Sequence, residues 1–234
     1  MTIFLKCDII GTGRSETSPH DDVGEAFFIA LDQHTDGGRI VSRIFCIVGK
    51  SASGKDTIYR AILAERPTNL IPIIPYTTRP QRVGERDGVD YHFVTVEQLK
   101  ELERADKVIE KREYVTTKGL WVYFTARFDL HEGEDYILIT TLEGAQSLTA
   151  HYGADTVTVV YLDADDKTRL LRYIERESKQ AKPDYAEVCR RFLADQKDFS
   201  EEHIRKLPNL YTIDAGRSVE DCLSAWNRLY HSTR

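Results

Sequence analysis

The stretch "RIFCIVGKSASGKDTIYRAILAER", residues 43–66, decides the fold. "RIFCIVG" is a β-rich apolar run and "KDTIYRAILAER" reads as a helix, so the Gly- and Ser-rich turn between them joins a strand to a helix. That turn contains G-x-x-x-x-G-K from Gly49 to Lys55. In such a setting successive backbone N–H groups and the helix N-terminus point at phosphate oxygens, and the lysine reaches the outer phosphates. Gly49, Lys50, Ser51, Ala52, Ser53, Gly54, Lys55, Asp56 and Thr57 are therefore expected to hold the phosphates of a nucleotide. The common pattern ends in a hydroxyl residue that touches Mg²⁺, but Asp56 stands there, followed by Thr57. A lone carboxylate beside a triphosphate is repelled unless a cation lies between them, which makes Asp56 a candidate Mg²⁺ ligand. The competing reading is an acidic first-turn residue favoured by the helix dipole.

From residue 43 onward, apolar runs alternate with amphipathic stretches, the pattern of β-α units around a parallel sheet. "NLIPII" reads as the second strand. Residues 76–134 interrupt the rhythm with "YHFVT", the helical "VEQLKELERA" and the runs "VIEKREYV" and "WVYFTA", a small mixed or antiparallel subdomain. The parallel rhythm resumes with "DYILITT", a helix near "EGAQSLTAHYG" and the strand "TVTVVYLD". Two charged helices over about 165–177 and 185–206 flank the breaker-rich "SKQAKPD". "NLYTIDA" is the last strand, and Ser218 is the expected N-cap of a closing helix.

The first 41 residues fit this plan poorly. Residues 1–40 carry seven acids against Lys6, Arg14 and Arg39, most of the chain's net charge of −6, and are expected to be an acidic, loosely ordered extension of a domain spanning 42–234. That acidity argues against a general nucleic-acid partner. No apolar run approaches the roughly 20 residues that span a bilayer, so no membrane partner and a cytoplasmic protein are expected. The four scattered cysteines form no C-x-x-C pair.

The block "YTTRPQRVGERDGVDYHFV", residues 76–94, places Arg79, Arg82 and Tyr91 in a Gly/Pro-punctuated segment. Two guanidinium forks and a phenol suit a phosphate dianion. The pattern T-T-R-x-x-R-x-G-E-x-x-G-x-D-Y-x-F, one helix and one strand after a phosphate loop, resembles guanylate kinase over residues 43 to about 232. The resemblance implies a parallel P-loop sheet with a GMP-binding subdomain (76–134) and a helical lid (165–200), moving the γ-phosphoryl group of Mg·ATP onto GMP. By motif, Arg79, Arg82, Tyr91 and Tyr123 would hold the acceptor phosphate, while Glu110 and Thr125 would read the base. Arg172, Arg176 and Arg191 (or its neighbour Arg190) would be the lid cations that stabilise the charge in flight.

Two departures stand beside this match. Pro75 occupies the place of a guanine-contacting serine, and Ile139 and Thr141 stand where the family ends its third parallel strand with acids. Three readings follow: a GMP kinase, a kinase of the same build acting on another phosphorylated acceptor, and a binding module that recognises phosphopeptides with the old GMP pocket.

Overall fold

A computed structural model describes residues 42–65, 69–116 and 119–232; the expectation of an acidic extension over 1–41 lies outside the described residues. The chain runs β1 (Arg43–Val48), α1 (Lys55–Ala64), β2 (Leu70–Pro72), β3 (Tyr76–Thr77), β4 (His92–Phe93), α2 (Val96–Arg104), β5 (Val108–Thr116) and β6 (Gly119–Ala126). It continues with β7 (Asp135–Ile139), α3 (Leu142–Tyr152), β8 (Val157–Asp163), α4 (Asp166–Ser178), α5 (Tyr185–Asp198), α6 (Glu201–Arg205), β9 (Leu210–Asp214) and α7 (Val219–Ser232). Five strands in the order β2-β7-β1-β8-β9 form a wholly parallel sheet. Four others form a second sheet, β4-β3-β6-β5, mixed because β3 pairs parallel with β4 and antiparallel with β6.

Strand β1 lies in the middle of the parallel sheet and is buried along its whole length. Its side chains alternate between two cores, as strand geometry requires. Phe45 and Ile47 pack with Ile58 and Ile62 of α1 and Trp226 of α7, whereas Ile44, Cys46 and Val48 pack with Leu138 and with Leu148 of α3. The continuous apolar run is thus the signature of a strand covered on both faces. Phosphate-binding segments in such sheets sit outside the carboxyl ends of the strands, where β1 delivers residues 49–54.

The start of β1 is fixed by charge. Arg43 donates from Nε and Nη2 to the Asp135 carboxylate across the β1–β7 register (2.9 and 2.6 Å) and from Nη1 to the Tyr230 carbonyl at the end of α7 (2.9 Å). Its guanidinium also lies over the rings of Phe45 and Tyr230.

The observed elements follow the expected ones, with two corrections. The helix expected over 185–206 is broken at Phe199, because that ring stacks on Tyr161 of β8 (centroids 5.8 Å apart) and packs into the α3-side core. The β2 ladder is shorter than "NLIPII", since its edge position and two prolines limit the pairing to Leu70–Pro72, with Ile73 N–H adding one bond to the Ile137 carbonyl. Ser218 does cap α7, its Oγ accepting from Asp221 N–H at 3.1 Å. No helix among the described residues is long and apolar enough to cross a membrane.

Removing one partner of a buried ion pair leaves an uncompensated charge, at a cost of about 3–5 kcal/mol. Asp135→Ala is therefore expected to lower unfolding free energy by about that amount. Urea titration checks this; a loss below about 1 kcal/mol would mean that water compensates Arg43.

Candidate functional site

The loop after β1 closes on its own lysine. Lys55 Nζ donates to the carbonyls of Gly49 (2.6 Å) and Lys50 (3.0 Å), turning those oxygens inward. Ser53 N–H donates to the Lys50 carbonyl, and Ala52 takes a left-handed conformation (φ 61°), a strained geometry for a residue with a side chain. Gly54, at φ 102°, is the N-cap of α1 and has no such side chain to strain. A Cβ on Gly49 would lie 2.7 Å from the Leu162 carbonyl of β8, so the loop passes against the sheet only because nothing projects there. Within α1 the first hydrogen bond is Ile58 N–H to the Gly54 carbonyl. The N–H groups of Gly54, Lys55, Asp56 and Thr57 are thus left to an outside acceptor, beside an ammonium and at the positive end of a helix dipole. Burial lowers Lys55 below its usual value, and the nearby Asp56 and Asp195 carboxylates oppose that shift.

Helices α4 and α5 reach this loop. Arg172 donates from Nη1 to the carbonyls of Ser53 (3.2 Å) and Ala215 (3.0 Å). Arg169, 1% exposed, donates to the Ser51 carbonyl at 3.2 Å and to the carboxylates of Asp166 and Asp195 at 3.0 and 3.2 Å. Arg176 lies exposed over the Tyr173 ring, near enough for its charge to bear on Lys55. Arg190 and Arg191 both donate to Glu187. Of the expected cations, the structure brings Arg172 to the loop and holds Arg191 on its own helix.

The second sheet carries the other group. Glu110 and Thr125 are register partners on β5 and β6, and Thr125 Oγ1 donates to Glu110 Oε1 at 2.8 Å. Tyr123, two residues along β6, accepts from Arg79 Nε at 3.0 Å, and its ring meets that of Tyr91 edge-on with centroids 5.7 Å apart. Because the Tyr123 oxygen accepts from Arg79, its own hydroxyl hydrogen is free to donate. The buried Arg79 fork is held by Glu85, whose two oxygens accept from Nη1 (2.7 Å) and Nη2 (2.6 Å), while Nη1 also donates to the Pro80 carbonyl. With Nε on Tyr123, one Nη2 hydrogen of the five in the fork remains unassigned. Arg82 is exposed, and its backbone N–H donates to Glu85. Burial raises Tyr91 above its ordinary value, with Tyr123 and more weakly Asp56 acting the same way and Arg79 and Arg112 opposing. The Asp56 carboxylate of α1 and the Tyr91 phenol therefore share one field.

Several residues escaped the sequence reading. Arg112 donates to Glu110 from Nε at 3.2 Å, so the carboxylate expected to read a base already has a cation beside it. Glu85 and Arg112 were detectable in principle, one from the G-E of the motif and the other from its i, i+2 strand spacing to Glu110. The contacts of Arg169, Asp166 and Asp195 with the loop span more than 100 residues and leave no local signal. The second departure, at the end of β7, has structural employment. Thr141 caps α3, accepting from Gly144 N–H at 3.1 Å, and Ile139 packs against the α1-side core. Among the described residues no cluster of three or more His, Cys, Asp or Glu could hold a metal by itself.

The Arg79 pair holds the Glu85 carboxyl down at about 2, from an ordinary 4.5. A depressed carboxyl stabilises the fold fully above its unfolded value and loses that contribution as pH falls through the folded one. The stability gap between wild type and Glu85→Gln is thus expected to be constant above about pH 5 and to shrink between about pH 4.5 and 2. Thermal unfolding over that range reads it; a gap that stays constant to pH 2 would contradict the pairing.

The guanylate kinase family model matches residues 41–201. A curated guanylate kinase of Zymomonas mobilis is 37% identical over 123 residues, covering 51% of this chain and 55% of that relative. One of Brucella melitensis is 32% identical over 142 residues, covering 61% and 62%. The match thus spans less than two thirds of these relatives' length. The crystal structure of guanylate kinase from Anaplasma phagocytophilum superposes with a TM-score of 0.59 at 17% identity, over 83% of this chain and 87% of that one, a likeness of fold. With the family model matched over more than half of its length, the chain belongs to the guanylate kinase family.

Proposed function

We propose that this chain is a nucleoside monophosphate kinase that transfers the γ-phosphoryl group of ATP to GMP, giving GDP and ADP in the cytoplasm. The observation that carries this reading is the pairing of two anion sites in one body. One is the lysine-closed loop with four outward N–H groups; the other is the face formed by Arg79, Tyr91 and Tyr123, with Glu110 and Thr125 alongside. We take the loop as the donor site, residues 76–134 as the acceptor subdomain and α4 with α5 as the lid.

In this reading Lys55 and the amides of Gly54–Thr57 hold the donor phosphates. The hydroxyls of Tyr91 and Tyr123, the remaining Arg79 N–H and the exposed fork of Arg82 hold the acceptor phosphate. Glu110 accepts from the N1–H and amino group of guanine, and Thr125 fixes its carboxylate. The attacking phosphate oxygen is already ionised, so no general base is needed, and catalysis is positioning plus neutralisation by Lys55, Arg172 and, on lid closure, Arg176 and Arg191.

Mg²⁺ is implied by an ATP donor, and the donor set fits it. Asp56 is exposed at the first turn of α1, in no ion pair among the described residues, with Thr57 next to it. Mg²⁺ favours one or two carboxylates combined with phosphates and water over a cage of protein ligands. Asp56 would hold the ion directly or through water, and the ion would draw charge from the phosphates.

The Arg112–Glu110 pair favours a second reading, an acceptor other than GMP, because a cation beside the base-reading carboxylate changes what that edge accepts. ADP release with Mg·ATP across GMP, dGMP, AMP, CMP and UMP separates the two, with GMP expected to be fastest. Silence on every acceptor, despite tight ATP binding, would favour a phosphopeptide-binding module. In the same assay Arg79→Met is expected to raise the KM for GMP about tenfold to a hundredfold with the KM for ATP nearly unchanged. Equal effects on both would refute the assignment.

A further inference from the structure

Ser51, in the first half of the loop, is held from outside the loop. It is gripped at both of its backbone polar groups: its N–H donates to Asp195 Oδ2 of α5 at 2.7 Å, and its carbonyl accepts from Arg169 of α4 at 3.2 Å. The Ser51 hydroxyl adds a contact to Asp195 Oδ1 at 3.3 Å. The Lys50 ammonium donates to Gln196 Oε1 at 3.2 Å and faces Asp166 at 4.0 Å, while Gln196 itself donates to Asp166 at 2.6 Å. The grip is mostly dry, with the Arg169 and Asp195 side chains 1% and 14% exposed, and the Arg169 guanidinium lies over the Phe192 ring. Directly after this clamp comes Ala52 in its left-handed conformation. A non-glycine residue stays in that region only where its surroundings over-determine it.

We propose that Asp195 is a positioning residue for the donor nucleotide: by fixing Ser51 it forces the left-handed turn at Ala52, which aims the amides of Gly54–Thr57 at the phosphates. The Ser51 amide is turned to α5 and takes no part in phosphate binding. The same contacts divide the two helices. The first two turns of α4, through Arg172, and the last turn of α5 are a base fixed to the loop, and any closure pivots beyond them, in the stretch that carries Arg176 and Arg191.

The inference rests on residues 49–57 being the donor loop, and its test does not require turnover. Mg·ADP and GMP affinities are measured by calorimetric titration on the full chain for wild type, Asp195→Ala and Asp195→Asn. Asp195→Ala is expected to weaken Mg·ADP about tenfold, and Asp195→Asn, which keeps an acceptor oxygen for Ser51, about threefold. GMP affinity should stay within about twofold in both. Should the alanine variant not fold, the asparagine variant carries the test. Unchanged or tighter Mg·ADP binding in a folded variant, or equal losses for both ligands, overturns the positioning role. A wild type that binds no Mg·ADP instead sinks the donor-loop reading itself.

Discussion

The ammonium of Lys55 on the carbonyls of Gly49 and Lys50 is the contact on which the site depends. It folds the chain back at the carboxyl end of β1 and sends the carbonyls inward, leaving the helix amides for an outside anion. That fold-back needs a rigid anchor on each side. The anchor before it is β1, buried on both faces between two cores and pinned at its start by Arg43 and Asp135. The anchor after it is α1, whose Ile58 and Ile62 fill the same core as Trp226. A glycine at position 49 follows from the closeness of β8, where a single methyl group would meet the Leu162 carbonyl.

The second sheet also orders its polar side chains in advance. Its long hairpin, β5 with β6, sets alternating residues on one face, so Glu110 and Arg112 from one strand meet Thr125 and Tyr123 from the other. Arg79 is held in that face by Glu85 and Tyr123, which orders its fork in advance and leaves the Tyr123 hydroxyl hydrogen to donate.

How much of this was legible follows from the range of each interaction. Strand β1, the loop and α1 are contiguous, and their run of apolar, glycine and helical residues reads directly. The Arg79, Arg82, Tyr91 block is local too, and five of the six expected acceptor residues are joined by hydrogen bonds or ring contacts, Arg79, Tyr91 and Tyr123 in one group and Glu110 with Thr125 in another. Arg82 remains on the exposed loop. The break in the helix expected over 185–206 was invisible because it comes from Phe199 stacking on a strand nearly 40 residues earlier. The grip of Asp195 on Ser51 was invisible for the same reason, over 144 residues.

The account is tested most directly by following backbone amides by nuclear magnetic resonance while Mg·ADP is added. The loop geometry predicts large shifts at Gly54, Lys55, Asp56 and Thr57, with the Ser51 amide protected from solvent exchange before and after saturation. Shifts that leave residues 54–57 untouched, or a Ser51 amide that exchanges freely in the unliganded protein, would contradict it.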